Sequence, residues 1–330
     1  GIVLASRPQG WVTAENFRLE QVPVPAPGPG QVLVRNHYLS LDPYMRGRME
    51  ESKSYAESQK LGETMIGGTV GVVEASNNPG FAAGDTVLGM FGWQEYGLSD
   101  GTGLMKVDTR AVPMSAYLGA VGMPGVTAWY GLNRICRPKA GETVLVSAAS
   151  GAVGSVVGQL ARQAGCRAIG IAGGQEKCDY VVSELGFDAC IDHRRHGDVK
   201  SMARALREAA PNGIDGLFEN VGGVCLDGAL ACMNPFGRIA LCGLIAGYNG
   251  QDIAIHHVRA LLVMRLELRG FIVSDHMADW PQALTELGRG VATGKIKYRE
   301  TIADGLAAAP EAFIGLLQGR NFGKQLVKLA

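Results

Sequence analysis

Glycines at the junction of a strand and a helix give the first indication of chemistry in this sequence. Residues 141–147 are mostly apolar or β-branched and predict a strand, an Ala/Ser/Gly turn follows directly, and residues 154–161 carry small and apolar side chains at helical spacing. The turn reads Ala-x-x-Gly-x-x-Gly from Ala148 to Gly154. Gly151 and Gly154 would let the backbone approach a pyrophosphate, whose charge the first N–H groups of the helix would face. The alternative is an ordinary strand–helix junction without a ligand.

The end of the next strand indicates which dinucleotide would bind. Residues 166–172 form an apolar run typical of a buried parallel strand, and the segment 173–177 follows without a carboxylate at the strand tip. A site selective for NAD would place Asp or Glu there to bind the ribose 2′-hydroxyl, whereas exposed amides and cations would attract a 2′-phosphate. Lys177, with His193 or Arg194 after the following strand, therefore predicts NADP(H). The alternative for Lys177 is an ordinary solvated lysine at a helix start.

The composition limits the classes of partner. The chain has 330 residues, enough for two domains with a core each, and its formal net charge is zero. It therefore lacks the electrostatic footprint of a protein that binds nucleic acid or an anionic membrane, and we expect small-molecule partners. No apolar run is long enough to span a bilayer, and charged residues within positions 1–20 interrupt any signal-peptide core, so we expect a cytoplasmic protein.

The cysteines and histidines do not form a metal-binding pattern. None of the seven cysteines belongs to a Cys-x-x-Cys pair, and most lie among apolar neighbours, where a free thiol behaves as a small hydrophobe. The six histidines do not join them at metal-ligand spacing. We therefore expect reduced, buried thiols and no structural or catalytic zinc.

The order of the predicted elements indicates two domains. Up to about residue 112 the chain shows short strands separated by Pro/Gly turns, with a polar loop at 52–62 that is a candidate flap. From about residue 115, helical patterns alternate with apolar strands, which predicts a parallel sheet with helices on both faces. Six strand candidates belong to this part: 141–147, 166–172, 188–192, 214–221, 238–243 and 267–273. The predicted fold class is α/β, a doubly wound Rossmann sheet plus a mostly β first domain against which the tail packs.

Five motifs in consistent order extend over essentially the whole chain. They are Leu39–Met49 (Leu-Ser-Leu-Asp-Pro-Tyr-Met-Arg-Gly-Arg-Met), Gly122–Leu132, Ala172–Cys178, Glu219–Gly223 (Glu-Asn-Val-Gly-Gly) and Asn321–Lys324 (Asn-Phe-Gly-Lys). Together they resemble the zinc-independent medium-chain dehydrogenases/reductases, and more narrowly the group of prostaglandin reductases, alkenal double-bond reductases and bacterial curcumin reductases. The resemblance implies a GroES-like substrate domain over residues 1–121, completed by 296–330, and a Rossmann domain over 122–295. It also implies NADPH as the cofactor and a homodimer.

The resemblance further implies which residues contact the cofactor. The expected contacts are Met123, Thr127, Gly151, Ala152, Val153, Gly154, Gly173, Gly174, Lys177, His193, Asn220, Cys242, Gly243, Leu244, Ile245, Tyr248, Phe271, Ile272, Val273 and Asn321. Within this set, residues 151–154 form the phosphate turn and Lys177 belongs to the 2′-phosphate region. Asn220 is expected on the ribose or nicotinamide side, and residues 242–248 and 271–273 are expected to line the nicotinamide.

Two positions depart from patterns within the family, and positions 42 and 67–69 differ from its zinc-dependent members. His193 stands where many relatives have a tyrosine near the 2′-phosphate, and a histidine can still donate to phosphate. Val263 stands where several eukaryotic relatives place a tyrosine proposed to act in protonation, so that role is not expected here. Zinc-dependent members place a cysteine near position 42 and Gly-His-Glu near 67, whereas this chain has Asp42 and Gly67-Gly68-Thr69. Alcohol oxidation by a zinc route is therefore disfavoured.

The implied reaction is reduction of the C=C bond of a small hydrophobic enal or enone. Hydride goes to the carbon β to a carbonyl, negative charge develops on the carbonyl oxygen, and hydrogen-bond donors must be aimed there. Tyr248, after the fifth strand of the parallel sheet, is the first candidate for the proton donor, and Tyr44 and Tyr55 are weaker ones. The alternative for Tyr248 is cofactor packing, and for Tyr44 a structural role beside an ion pair between Asp42 and Arg46.

Two other functions stay open at the level of sequence. Related zinc-free members reduce quinones, which would keep the cofactor and change the product to a hydroquinone. A non-catalytic NADPH-binding protein, like the lens crystallins recruited from this superfamily, would bind the cofactor without turnover. The substrate itself does not follow from the sequence, because the pocket depends on loops such as 52–62.

Overall fold

The computed structural model describes all residues of the chain, 1–330, as strands and α-helices joined by loops, short 3₁₀ turns and one π-helical segment, Gly131–Cys136. The strands are β1 (Ile2–Leu4), β2 (Phe17–Leu19), β3 (Val32–Ser40), β4 (Thr69–Ser76), β5 (Thr86–Gly89), β6 (Tyr96–Ser99), β7 (Met105–Lys106), β8 (Thr143–Ser147), β9 (Arg167–Ala172), β10 (Ala189–Asp192), β11 (Ile214–Glu219), β12 (Met233–Leu241), β13 (Glu267–Gly270), β14 (Glu300–Asp304) and β15 (Lys324–Lys328). The helices are α1 (Tyr44–Arg48), α2 (Met123–Tyr130), α3 (Gly154–Gln163), α4 (Gln175–Ser183), α5 (Val199–Ala209), α6 (Gly223–Leu230), α7 (Val258–Val263), α8 (Trp280–Ala292) and α9 (Ala309–Leu317). None of these helices has the length and apolar character that crossing a membrane requires.

The chain divides into two compact units, and the first, residues 1–118 with 300–330, is mostly β. Its larger sheet has the strand order β14-β15-β3-β4-β5-β7, with β6 also paired to β3. The tail strand β15 pairs antiparallel with β3, so both ends of the chain share one sheet. In the core of this unit, Trp93 stacks on Phe17 with ring centroids 5.2 Å apart and meets Phe313 of α9 edge-on at 5.6 Å.

The second unit, residues 119–299, contains a six-stranded parallel sheet in the order β10-β9-β8-β11-β12-β13. Strand β8 explains why the strands read as continuous apolar runs. Val144 and Val146 belong to the core that includes residues of α2, α3 and α8, whereas Leu145 belongs to the core that includes residues of α5 and α6. Because both faces of the strand are covered by helices, its three central positions are apolar, whereas Thr143 and Ser147 at its ends are buried polar residues. The predicted α/β fold class is confirmed.

Three predicted strands end earlier than the sequence suggested, and one of them is the fifth, which ends at Leu241 rather than Gly243. The fourth ends at Glu219 rather than Val221, because the next residues turn through Gly222, which has a φ of +84°. The sixth ends at Gly270 rather than Val273, because its neighbour β12 ends at Leu241, the register partner of Gly270. Beyond that pair no backbone of β12 is available to continue the ladder.

Glycine allows α3 to lie unusually close to its neighbours. A Cβ at Gly154 would lie 2.4 Å from the carbonyl oxygen of Ala148, and a Cβ at Gly158 would lie 1.8 Å from the ring of Phe187. Both distances are too short for a real side chain, so glycine is required at both positions for this packing. The sequence analysis identified Gly154 but not Gly158, although a glycine inside a helical pattern was the available signal.

We expect Gly158→Ala to destabilise the protein by about 1–3 kcal/mol through overpacking against Phe187, despite the better helix propensity of alanine. Urea denaturation measures the change in the free energy of unfolding. The double variant Gly158→Ala/Phe187→Ala should lose less stability than the two single variants added together, because the overlap with the ring is gone. The control is Gly197→Ala, because a Cβ at Gly197 would contact nothing within 4 Å. Equal losses in Gly158→Ala and Gly197→Ala would contradict the prediction.

Candidate functional site

The turn between β8 and α3 presents three backbone donors. The N–H groups of Ala152, Val153 and Gly154 have no acceptor within the protein, whereas the N–H of Gly151 donates to the Ala148 carbonyl at 2.9 Å. Ala148 itself has a φ of 51°, which turns the chain sharply at the end of the strand. Adjacent unpaired N–H groups at a helix N-terminus suit a phosphate. The turn therefore fits the pyrophosphate of a dinucleotide.

Two glycines after β9 are covered by the residues that follow β10. A Cβ at Gly173 would lie 2.9 Å from Nε2 of His193, and one at Gly174 would lie 3.3 Å from the guanidinium of Arg194. Lys177 lies in the first turn of the adjacent helix α4. The structure thus brings Lys177, His193 and Arg194 together at the ends of β9 and β10, and we call these three residues the cation cluster.

Burial and mutual repulsion both disfavour positive charge in the cation cluster. Burial lowers the pKa of Lys177, and the charge of Arg194 lowers it further. Burial also lowers the pKa of His193. The charge of the nearby Asp192 partly opposes this shift, whereas the charges of Arg194 and Lys177 add to it. A bound phosphate would relieve this repulsion. The cluster therefore fits an anion such as a ribose 2′-phosphate.

Asp192 organises this end of the site and was missed from the sequence. Its Oδ1 accepts the N–H of Gly174 at 2.8 Å and that of Arg194 at 3.1 Å. Although burial opposes ionisation, these two hydrogen bonds lower the pKa of the Asp192 carboxyl. The carboxylate therefore fixes the backbone that carries the cation cluster. The end of β9 carries no acid, as the sequence shows, and the acid that organises the site lies at the end of β10.

Asn220 is held at the junction of β8 and β11. Its backbone N–H donates to the Ser147 hydroxyl at 2.7 Å, and its side-chain NH₂ donates to the Ser147 carbonyl at 2.8 Å. Its own carbonyl accepts the N–H of Ile245 at 3.2 Å. Because one N–H of this amide is used within the protein, the side-chain oxygen and the second N–H are the groups that could face a ligand.

The turn after β12 brings Tyr248 close to Asn220. A Cβ at Gly243 would lie 3.3 Å from the Tyr248 hydroxyl and 3.4 Å from the Asn220 carbonyl oxygen. The Tyr248 hydroxyl also accepts the N–H of Leu244 at 3.4 Å. The hydroxyl therefore lies over the backbone at the carboxyl end of β12, where a doubly wound sheet binds its ligand.

Phe271 and Val273 pack inside the second unit. The Phe271 ring lies 5.5 Å from the ring of Tyr130 and 6.2 Å from that of Phe218, centroid to centroid. Val273 is buried in the same core. These positions follow β13 rather than belonging to it, and Ile272 lies between them. Their contact with a cofactor stays a prediction.

The polar side chains of two further predicted cofactor contacts form hydrogen bonds with nearby backbone carbonyls. The Thr127 hydroxyl donates to the Met123 carbonyl one turn earlier in α2, at 2.7 Å. In the first unit, the side-chain NH₂ of Asn321 donates to the Gly323 carbonyl at 2.8 Å, just before β15. The contacts of Met123, Thr127 and Asn321 with a cofactor also stay predictions.

Arg48 brings the two other candidate tyrosines together in the first unit. Its guanidinium carbon lies 4.8 Å from the centroid of the Tyr55 ring and 5.9 Å from that of Tyr44. Burial, with a further contribution from Asp42, raises the pKa of Tyr44 well above its ordinary value. The Tyr44 hydroxyl is therefore a weaker acid than an ordinary tyrosine. Tyr55 is the more exposed of the two side chains.

The predicted ion pair between Asp42 and Arg46 is wrong. Arg46 pairs with Glu50 at 2.8 Å, because the two residues lie one helical turn apart. Asp42 pairs instead with Lys324 at 2.9 Å and accepts a hydrogen bond from the Ser40 hydroxyl. Strand β15 brings Lys324 to this position by pairing with β3.

The cysteines are free thiols, and the side chains do not group as a metal site. No three His, Cys, Asp or Glu residues come close enough together to hold a metal ion. All seven cysteines are unpaired, and five of them are buried. Burial raises the pKa of Cys136, Cys225 and Cys242 to about 12. These three side chains are therefore protonated, unreactive thiols at neutral pH.

Comparison with known proteins identifies the family. Residues 1–107 match the family described as the N-terminal domain of oxidoreductase, and residues 152–289 match the family described as zinc-binding dehydrogenase. The chain is 48% identical to the NADPH-dependent curcumin reductase of Escherichia coli, over 99% of this chain and 96% of that protein. The chain belongs to the zinc-independent medium-chain dehydrogenases/reductases. Although the second family description mentions zinc, positions 42 and 67–69 lack the residues that zinc-dependent members place there.

Two further relatives place the chain within this family. It is 44% identical to the 2-alkenal reductase (NADP(+)-dependent) of Nicotiana tabacum, over 92% of this chain and 88% of that protein. The crystal structure of CurA from Vibrio vulnificus in complex with NADPH superposes with a TM-score of 0.93 and 48% identity, covering 100% of this chain and 98% of that one. The predicted group of reductases within the family is therefore confirmed.

We expect the cation cluster to bind 2′-AMP in preference to 5′-AMP, as isothermal titration calorimetry would measure. Because a charge-assisted hydrogen bond contributes about 1.5–3 kcal/mol, Arg194→Gln should weaken 2′-AMP binding about tenfold or more. The control is Arg110→Gln, since Arg110 is 89% exposed and pairs with Asp108 in the first unit. Equal losses in the two variants would show a general charge effect and contradict a specific site.

Proposed function

We propose that this protein reduces the C=C bond of α,β-unsaturated aldehydes and ketones, with NADPH as the hydride donor. NADPH is its cofactor, as predicted, and its relatives include a curcumin reductase, a 2-alkenal reductase and prostaglandin reductases. The observation that carries the proposal is the arrangement along the carboxyl edge of the parallel sheet. The cation cluster, the N–H groups that would donate to a phosphate and a hydroxyl beside Asn220 follow one another along that edge.

Each part of this edge fits one part of the cofactor. The N–H groups of residues 152–154 would hold the pyrophosphate, the cation cluster the 2′-phosphate, and Asn220 and Gly243 the nicotinamide side. When bound, NADPH supplies the hydride. The protein must then stabilise the charge that develops on the substrate carbonyl oxygen and deliver a proton to the α carbon.

The Tyr248 hydroxyl is the group that we assign to proton donation. It lies at the end of β12 and accepts a hydrogen bond from Leu244, which strengthens the hydroxyl as a donor. Tyr44, whose pKa is raised by burial, holds its proton more firmly than an ordinary tyrosine. The position of Tyr248 at the ligand-binding edge of the parallel sheet therefore favours it over Tyr44 as the donor.

We expect Tyr248→Phe to lower kcat for trans-2-alkenals about 10²-fold, the effect typical of removing a general acid, with little change in the Kd of NADPH. NADPH oxidation at 340 nm measures the rate, and mass spectrometry of the saturated product confirms the reaction. The control is Tyr117→Phe, because the Tyr117 hydroxyl donates to the Asp108 carbonyl in the first unit.

Two results would count against these assignments. An unchanged kcat in Tyr248→Phe would leave Tyr248 a packing role. Consumption of a benzoquinone without any turnover of enals or enones would show that the reaction class is wrong.

We also propose that the protein is a homodimer. Strand β13 lies at the edge of the parallel sheet, and the preceding helix α7 exposes Val258, Leu262 and Val263 by 58%, 79% and 46%. An exposed sheet edge beside exposed apolar side chains is typical of an interface. A second copy of this edge would cover both features.

We expect Leu262→Glu to shift the protein from dimer to monomer, because the charge would be buried without a partner. Size-exclusion chromatography with light scattering measures the mass. The control is Leu19→Glu on β2, where the side chain is 53% exposed. A wild-type protein that elutes as a monomer, or a Leu262→Glu variant that stays dimeric, would contradict this surface as the interface.

A further inference from the structure

A carboxyl group is buried at the end of β11, under the turn that leads into α6. Glu219 is 0% exposed. Its Oε1 accepts the N–H groups of Val221 at 2.6 Å and Gly222 at 2.7 Å, whereas its Oε2 is buried without a hydrogen-bond partner. The side chain thus replaces the hydrogen bonds that these two N–H groups lose where the strand ends.

The same residue connects the turn to neighbouring strands. The Glu219 carbonyl accepts the N–H groups of Cys242 at 2.9 Å and Gly243 at 3.2 Å, directly after β12. The next residue, Asn220, is bound to Ser147 at the end of β8. The backbone and side chain of Glu219 therefore fix the turn 220–223 at the point where three strand ends meet.

The surroundings of the carboxyl favour its neutral form. Burial raises the pKa of Glu219 to about 7, although hydrogen bonds from the N–H groups of Gly222, Val221 and Asn220 and from the Ser147 side chain oppose this. The titratable groups that face it are the thiols of Cys225 on α6 and Cys242 after β12, which are protonated at neutral pH. Strand β8 contributes the uncharged Ser147, and no charged side chain contributes to the shift. Ionisation would therefore leave charge on the unpartnered Oε2.

We propose that Glu219 is a positioning residue of the cofactor site, which holds the turn carrying Asn220 in place while its carboxyl is protonated and loosens it on ionisation. The proposal rests on the proposed function, because it takes Asn220 to be a cofactor contact. Loss of the proton would favour opening of the turn toward water, and the cofactor would then have to reorder it.

The test compares wild type with Glu219→Gln, which keeps an oxygen acceptor and cannot ionise. In wild type without cofactor, the thermal unfolding midpoint should fall as pH rises from about 4.5 to 7, because a carboxyl whose pKa is raised on folding stabilises only below that window. In Glu219→Gln this fall should be smaller. The exposed Glu184 supplies the control, and Glu184→Gln should keep the wild-type profile.

NADPH binding gives a second readout, measured by fluorescence titration from pH 6 to 8.5. The Kd of wild type should rise about fivefold or more across this range, a coupling typical of linked sites, and that of Glu219→Gln clearly less. The part that remains in the variant comes from His193 and the phosphate itself. Glu219→Ala leaves both N–H groups without an acceptor and should weaken binding at every pH, about tenfold.

The outcomes separate this inference from the proposed function. If Glu219→Gln keeps the full pH dependence of both unfolding and NADPH binding, or binds NADPH as weakly as Glu219→Ala, the inference is overturned. If Glu219→Ala does not fold, the comparison between wild type and Glu219→Gln still decides. If no enal or enone is reduced but the pH profiles differ as expected, the proposed reaction fails and the positioning role stands.

Discussion

The close approach of α3 to the end of β8 determines where a ligand can bind. Because Gly154 has no Cβ, the helix begins against the Ala148 carbonyl, and Gly158 lets the same helix settle on Phe187. The N–H groups of residues 152–154 are thereby left without acceptors. They lie where the strand order reverses between β8 and β11, the crevice in which doubly wound sheets bind ligands. The phosphate site therefore follows from backbone packing and requires no charged side chain.

The two halves of the carboxyl edge of the parallel sheet present different groups to a ligand. At the ends of β9 and β10 the cation cluster would attract an anion, and the partly buried Asp192 holds its backbone in place. At the ends of β11 and β12 the groups are an amide, a hydroxyl and the Glu219 carboxyl, whose pKa burial raises to about 7. Hydride donation leaves positive charge on a nicotinamide ring, so a fixed cation at that end would oppose the reaction. Separating the charged half from the neutral half serves both binding and chemistry.

The sequence predicted those features that neighbouring residues determine. Apolar runs located the parallel strands to within a few residues, because a strand such as β8 is covered on both faces. Features that depend on distant partners could not be predicted in this way. Lys324 reaches Asp42 across 282 positions in the sequence. Glu219 lay within a recognised motif, but its burial depends on how β8, β12 and α6 surround it. Cofactor contacts at individual residues stay predictions for the same reason.

The Asp42–Lys324 pair limits how the protein can stabilise negative charge. Lys324 donates to the Asp42 carboxylate at 2.9 Å, to the Leu41 carbonyl at 2.7 Å and to one further backbone carbonyl, while Ser40 donates to the other carboxylate oxygen. All three donors of the ammonium are therefore engaged, and the pair holds β15 against β3 rather than facing a substrate. Lys324 is therefore not available to a substrate oxygen, and the donor that we propose, Tyr248, is a neutral group. Neutral donors suffice best where the charge is delocalised, as in an enolate, and least for a localised alkoxide. This favours reduction of a conjugated C=C bond over interconversion of an alcohol and a carbonyl.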